Sequence, residues 1–178
     1  MLLEKILPDQ IYSRALQLIS DEVINNLSRK SPAQTIENSL KILDDCLFLN
    51  MGRVLLVDNT GKYLRIRYAY NLPSEKRFVT YKKDEGISGF VFTTGQSMYL
   101  DDLDTNSMYK GRLINPLQLP YEKPAFSAVP IKSIEGNVIG ILCVNHGYRC
   151  PEEIQSSFEV LEKTAQMFSQ LLAMYSTT

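Results

Sequence analysis

This chain has few histidines and cysteines and a net charge close to zero, and each of these features argues against a class of function. The 178 residues include one His, three Cys and no Trp, with 19 basic and 20 acidic side chains. A single imidazole, His146, excludes metal sites built from several histidines and is the only imidazole available for acid–base chemistry. The formal net charge of −1 argues against direct nucleic-acid binding, because proteins that bind nucleic acids usually present a basic face.

The cysteines and the apolar runs indicate a cytoplasmic protein. Cys46, Cys143 and Cys150 form no C-x-x-C pair, and an odd count suits no disulfide framework, so we expect three reduced thiols. The longest clean apolar run, 138–144, is far shorter than the roughly 20 residues that span a bilayer. Charged residues also stand at positions 4 and 5, where a signal peptide needs apolar ones. We therefore expect a cytoplasmic location and no contact with a membrane.

Hydrophobic patterns predict helices, then strands, then a final helix. Helical spacing indicates a first helix over about 9–28 and a second that begins at Ser31-Pro32, with Gln34 completing a capping box, and runs to Leu47. Strand patterns follow at 53–57, 63–70, 78–82, 97–100, 126–132 and 138–145, with a short helix over 87–94. The long irregular stretch 101–124 is typical of a functional or mobile segment.

The last predicted helix, 151–175, carries two apolar stripes. The first alternates steps of four and three residues, as in a coiled-coil seam: Ile154, Phe158, Leu161, Ala165, Phe168 and Leu172. The second contains Val160, Met167, Leu171 and Met174. Since one stripe suffices to pack on the domain's own sheet, we predict that the second, with Ile11 and Ala15, forms a homodimer interface. The alternative is that both stripes belong to the core of one chain, because a buried helix can be apolar all round.

Three segments, in this order and at these spacings, resemble the signature of GAF domains. Residues 84–96, DEGISGFVFTTGQ, are similar to the family's GEGI-x-G-x-V-x-x-TG-x segment. Residues 126–131, FSAVPI, resemble its S-x-x-VPI strand, and residues 136–144, GNVIGILCV, resemble its G-x-x-IGVL-x-V strand. Each segment alone is weakly specific, but the three together are a strong signal, and the likeness covers about residues 12–172.

This resemblance implies an α+β, GAF-like fold. A central six-stranded antiparallel sheet would carry the N- and C-terminal helices on one face, and the small helix with the long loop on the other. The chain 1–178 would then be a single sensor domain, with the N-terminal helix in 1–30 and a dimerisation and signalling helix in 151–175.

Within the family, residues 50–58, NMGRVLLVD, and the helix before them resemble the sensor domains of bacterial sigma-N-dependent transcription activators that regulate nitrogen fixation. The resemblance implies a non-catalytic domain that senses a small molecule, dimerises through its terminal helices and controls the ATPase domain of the activator, which this chain lacks. Three alternatives remain open: a GAF domain of a histidine kinase, one of a cyclic-nucleotide signalling enzyme, and a dimerisation module whose pocket its own side chains fill.

The same resemblance implies a ligand pocket under the small helix and the long loop. Free N–H groups at the start of that helix suit an anionic or carbonyl-bearing ligand, and we consider a cyclic nucleotide, 2-oxoglutarate or another small anion. No metal is predicted. The ligand-binding residues expected on this basis are Tyr68, Tyr81, Gly86, Ile87, Ser88, Asp102, Tyr109, Ser127 and Val129. For each of them, an ordinary structural role is the alternative.

Enzymatic function is disfavoured by where the cysteines stand. The free methionine-(R)-sulfoxide reductases, which are GAF proteins of about this size, carry cysteines in G-V-C-G and C-D-A-A-S segments. The corresponding places here, 87–89 and 124–127, contain no thiol, and a serine cannot replace a thiolate in sulfoxide reduction. A chromophore-binding Cys beside a His in the loop region is missing as well, whereas a redox switch through Cys143 or Cys150 stays open. We therefore expect no catalytic residues.

Overall fold

The computed structural model of the chain describes residues 8–29, 31–101, 103, 106–109, 125–147 and 151–176. The helices are α1 (Pro8–Asn25), α2 (Ala33–Leu47), α3 (Gly86–Thr94) and α4 (Pro151–Ser176). The strands are β1 (Leu49–Val57), β2 (Tyr63–Tyr70), β3 (Thr80–Lys82), β4 (Met98–Leu100), β5 (Ala125–Lys132) and β6 (Val138–His146). A short 3-10 helix, Ser74–Lys76, precedes β3.

The strands form one six-stranded sheet in the order β3-β2-β1-β6-β5-β4. Every neighbouring pair is antiparallel, and the strands of each hairpin, β1–β2 and β5–β6, lie side by side. The central contact joins β1 to β6, where Val54 is paired with Leu142. Helices α2 and α4 cover one face of this sheet, α1 packs on both of these helices, and α3 covers the other face of the sheet. The predicted α+β fold is confirmed.

The main core lies between the sheet and the three long helices, and we call this side the helix face. Ile19, Ile36, Leu43 and Phe168 are fully buried there against strand residues that include Val54. Burying one such side chain contributes about 1.5–3 kcal/mol to the free energy of folding. None of the helices in the described ranges is long and apolar enough to cross a bilayer.

Most of the described residues in the two stripes of α4 are buried within one chain, which favours the alternative interpretation. Val160 and Leu171 of the second stripe are 2% and 1% exposed, and Ala15 of α1 is 0% exposed. The reason is that α4 packs on β5 and β6 and also against α1, so both of these sides of α4 are covered inside the subunit. These three residues are therefore inaccessible to a partner chain. Of the other predicted interface residues, Ile11 and Met167 are half-buried, and only Met174 is exposed.

The sequence predictions miss some element ends. Strand β1 begins at Leu49 rather than Arg53, because Leu49 pairs with His146 and extends the ladder with β6. At the start of α2, the Ser31 hydroxyl accepts a hydrogen bond from the Ala33 N–H at 3.2 Å. The expected capping box does not form, since the Gln34 side-chain amide donates to Asn38 Oδ1 at 2.8 Å instead of reaching back.

Candidate functional site

The candidate site is the face of the sheet that α3 covers, which we call the α3 face. Four strands, α3 and one residue beyond β4 supply its buried apolar lining, the inner cluster: Leu55, Leu64, Ile87, Val91, Leu103, Phe126, Ala128, Ile141 and Cys143. Partly buried Tyr81, Phe90, Phe92, Met108 and Tyr109 pack around this cluster. The α3 face is therefore a second, smaller core with aromatic side chains at its margin.

Two glycines hold α3 close to the turn that precedes it. Gly86, the first residue of α3, has φ +65°, a left-handed conformation that residues with a Cβ rarely adopt. One turn later, Gly89 packs directly on the backbone of Asp84, where no space remains for a side chain. The helix ends at Gly95, which also has a positive φ and donates its N–H to the Val91 carbonyl at 2.9 Å. These glycines explain the spacing of the family-like segment in physical terms.

A groove of about 350 Å³ separates α3 from residues 106–109. Pockets that hold small metabolites typically have volumes of about 300–1,000 Å³. The groove is lined by Asp84, Gly86, Gly89, Phe90, Thr93, Thr94, Ser107 and Met108. Asp84 is the charged residue of this lining, so the groove itself offers an anion no positively charged side chain.

Five of the predicted ligand-binding residues come together on the α3 face: Tyr81, Gly86, Ile87, Ser88 and Tyr109. The Ser88 hydroxyl lies 3.9 Å from the Cys143 thiol and is buried. The Tyr109 ring packs at a tilt against Phe126, with ring centroids 6.4 Å apart. Asp102 lies outside the described residues.

The structure separates Tyr68, Ser127 and Val129 from that group and assigns them to the helix face. Side chains alternate along a strand, and Phe126 of β5 faces α3, so Ser127 and Val129 point the other way. The Ser127 hydroxyl lies 2.7 Å from His146 Nε2, and both residues are buried. Tyr68 packs against the main core. A ligand under α3 would not reach these three side chains.

The single imidazole and the described thiols do not assemble into a catalytic or metal-binding group. His146 lies on the helix face, where the Tyr99 ring meets it edge-on at 6.3 Å between centroids. Cys143 is buried in the inner cluster, and Cys46 is half-buried in the main core. Among the described residues, no group of three or more His, Cys, Asp or Glu side chains is arranged to hold a metal ion.

Sequence reasoning overlooked a polar pair on the α3 face, Arg53 and Asn145. Arg53 is 4% exposed, and its Nη1 donates to Asn145 Oδ1 at 2.7 Å. The guanidinium carbon lies 5.2 Å from the centroid of the Phe126 ring, within cation–π range. The signal was present in the sequence, because Arg53 is the one charged residue of the strand 49–57.

The charge of Arg53 acts on its neighbours. Burial raises the pKa of the Cys143 thiol, while the Arg53 charge and the Ser88 hydrogen bond oppose that rise. Burial likewise raises the pKa of the Tyr109 hydroxyl, again opposed by Arg53. Both groups are neutral at physiological pH, because their pKa values lie above those of an ordinary thiol and phenol. The α3 face thus holds a positive charge among neutral side chains.

Comparison with known proteins places this geometry in a family. The family model described as GAF domain matches residues 35–175. The Nif-specific regulatory protein of Azotobacter vinelandii is 30% identical over 170 residues, which cover 92% of this chain and 31% of that protein. The chain therefore spans less than a third of the length of this relative.

Solved structures share the fold at lower sequence identity. The A. aeolicus nlh2 GAF domain, crystallised in an inactive state, matches with a TM-score of 0.79 at 20% identity, over 94% of this chain and 99% of that one. The free methionine-R-sulfoxide reductase of Neisseria meningitidis, in complex with its substrate, matches with a TM-score of 0.70 at 14% identity, over 96% and 91% of the two chains. Family model and sheet topology agree over most of the sequence, and the chain belongs to the GAF domain family.

Proposed function

We propose that this chain is a non-catalytic sensor domain that binds a small molecule on the α3 face and controls an effector through its terminal helices. The observation that carries the proposal is a difference between the two faces of the sheet. The helix face is filled by three long helices, whereas the α3 face combines a groove, an aromatic margin and a buried charge. Such a combination of apolar walls and a few polar groups is typical of ligand sites.

The effector we propose is a transcription activator. The supporting observation is the similarity to Nif-specific regulatory proteins, which are more than three times as long as the matched region. The domain would act in the cytoplasm, as a homodimer through its terminal helices, on an effector region of such a regulator. It would bind neither DNA nor membranes directly.

Two strands connect the proposed ligand site to the terminal helix. On one face of the sheet, α3 packs on β5 and β6, and on the opposite face α4 packs on the same two strands. A ligand that changes how α3 sits on β5 and β6 therefore acts on α4 across a single layer of backbone. We expect binding to shift the population of two packings of α4 rather than to create a new conformation.

The described thiols support a non-catalytic role. Catalytic cysteines are exposed and have lowered pKa values, because the thiolate is the reactive form. Cys143 has the opposite character: it is fully buried, and burial raises its pKa. Burial also raises the pKa of the half-buried Cys46 thiol.

A thermal-melting screen tests the proposed function. The 178-residue chain is melted against cyclic nucleotides, nucleotides, oxo acids and amino acids, and we expect at least one compound to raise the melting temperature. A compound present at 100 times its Kd adds about 2.7 kcal/mol of stability. Ser107→Trp fills the groove and should suppress the rise, whereas Ser74→Trp, in the exposed 3-10 helix, should not. A chain that responds to no compound, or a Ser107→Trp variant that responds like the parent, contradicts the proposal.

A further inference from the structure

We propose that Arg53 and Asn145 bind one carboxylate group of the molecule that the domain senses. The inference rests on the proposed function and names the chemical class of its ligand. The site lies on the sheet beneath α3, on adjacent strands β1 and β6. Arg53 is paired with Cys143 in the ladder, and Asn145 follows on the same face.

The first argument is the missing counter-charge of Arg53. An arginine that is 4% exposed normally has an acidic partner, because burying an unpaired charge costs several kcal/mol. In the described part of the chain, each ion pair joins other residues, and none involves Arg53. Its hydrogen-bond acceptors there are the neutral Asn145 Oδ1 and Met51 Sδ. The planar guanidinium therefore keeps donors for an anion.

The second argument is independent and concerns the Asn145 amide. This residue is 2% exposed, and its Nδ2 has no hydrogen-bond partner among the described residues. Exchanging the positions of Oδ1 and Nδ2 would not give Nδ2 an acceptor, because Oδ1 must stay where it accepts the hydrogen bond from Arg53. A buried donor left unpaired costs about 1–3 kcal/mol and is rare in native structures. An acceptor atom of a ligand would satisfy it.

The chemistry of the pair favours a carboxylate. A guanidinium binds the two oxygens of a carboxylate through parallel N–H donors. One positive charge balances one carboxylate, whereas a phosphate dianion would leave an uncompensated charge among apolar side chains. The neighbouring Cys143 and Tyr109 are neutral and add no positive charge. The Phe126 and Tyr109 rings provide apolar surface for the rest of the ligand.

Matched compounds test the site directly. We would melt the 178-residue chain at constant ionic strength with acetate, benzoate and phenylacetate, with the corresponding primary amides, and with inorganic phosphate. Carboxylates should raise the melting temperature, while their amides and phosphate should not. Arg53→Met should weaken carboxylate binding by about 30-fold or more, and Arg53→Lys should weaken it less. Arg67→Met, which removes an exposed arginine from β2, should bind like the parent.

A double variant separates binding from folding. In the absence of carboxylate, Arg53→Met/Asn145→Val should melt at or above the temperature of the parent, since it removes a buried charge and an unpaired donor together. A lower melting temperature would show that the pair is structural and would overturn the site, as would a preference for phosphate or equal responses to carboxylates and amides. A compound whose effect is lost in Ser107→Trp but kept in Arg53→Met would leave the sensor function standing and overturn the carboxylate site.

Discussion

Gly89 approaches the backbone of Asp84 so closely that a Cβ atom added at Gly89 would lie 2.5 Å from the Asp84 carbonyl carbon. This approach fixes the start of α3 against the turn before it. Because the neighbouring atoms are backbone, they cannot move aside as a flexible side chain would. The position of α3, and with it the α3 face, depends on this one missing methyl group.

Gly89→Ala should therefore lower the free energy of unfolding by about 1–3 kcal/mol, through overpacking. The matched control is Gly61→Ala in an exposed turn, where φ is +69° and nothing lies within 4 Å of the added Cβ. In this control the free energy of unfolding should fall by only about 1 kcal/mol, because the alanine is strained in the left-handed conformation. Urea unfolding measures both losses. If Gly89→Ala costs no more than Gly61→Ala, the close approach does not govern the position of α3.

The two described thiols should differ in reactivity. Cys143 is fully buried and Cys46 is half-buried, and burial raises the pKa of both. Under native conditions at neutral pH, iodoacetamide should label Cys46 slowly and Cys143 still more slowly, as followed by mass spectrometry of the peptides. Denatured chain serves as the control for intrinsic reactivity. Rapid labelling of Cys143 would instead indicate an accessible thiolate and would favour a redox role.

Ser127 should matter for stability and not for ligand response. Ser127→Val removes the hydroxyl that lies 2.7 Å from His146 Nε2 in a buried layer, and the expected loss is about 1–3 kcal/mol. Because this pair lies on the helix face, the rise in melting temperature caused by a bound ligand should be unchanged. A Ser127→Val variant that folds but no longer responds to ligand would contradict the assignment of the two faces.

If the protein self-associates through its long helices, the association should depend on apolar side chains that are exposed in a single chain. Ile24 of α1 is 61% exposed, whereas the predicted interface residues Val160 and Leu171 are buried. Ile24→Lys should shift the protein towards monomer in sedimentation velocity. Phe78→Lys, at an 86% exposed position before β3, is the control and should leave association unchanged. The opposite pattern would place the interface at the sheet edge.

The sequence predicted the sheet and its helices well because their signals are local. Alternation along 63–70 and the turn residues between strands indicate hairpins without knowledge of the fold. The orientation of β5 was not predictable in this way. Both of its faces are buried, so Phe126, Ser127 and Val129 carry no polar–apolar alternation that tells which side faces α3. The resemblance to GAF domains predicts Ser127 and Val129 as ligand-binding residues, and no pattern in the strand itself could correct that prediction.

Buried elements also explain the other misjudged residues. Helix α4 is covered on two sides by α1 and the sheet, so Val160 and Leu171 of its second stripe resemble an interface in sequence but belong to the core in the structure. The hydrophobic pattern around Arg53 predicts a strand, but it does not show whether the arginine has an acidic partner. Recognising it requires the positions of all neighbouring acids, which depend on the tertiary fold.

Hydrogen–deuterium exchange tests the central claim most directly, namely that a molecule bound on the α3 face acts on α4 through β5 and β6. The probe is the carboxylate of the paired series that raises the melting temperature most, with its amide as the control compound. Helix α2 is the internal reference, because it packs on β1 and β2. The account predicts that the carboxylate changes exchange in both α3 and α4 by more than in α2. Slower exchange in α3 with α4 behaving like α2 would contradict it.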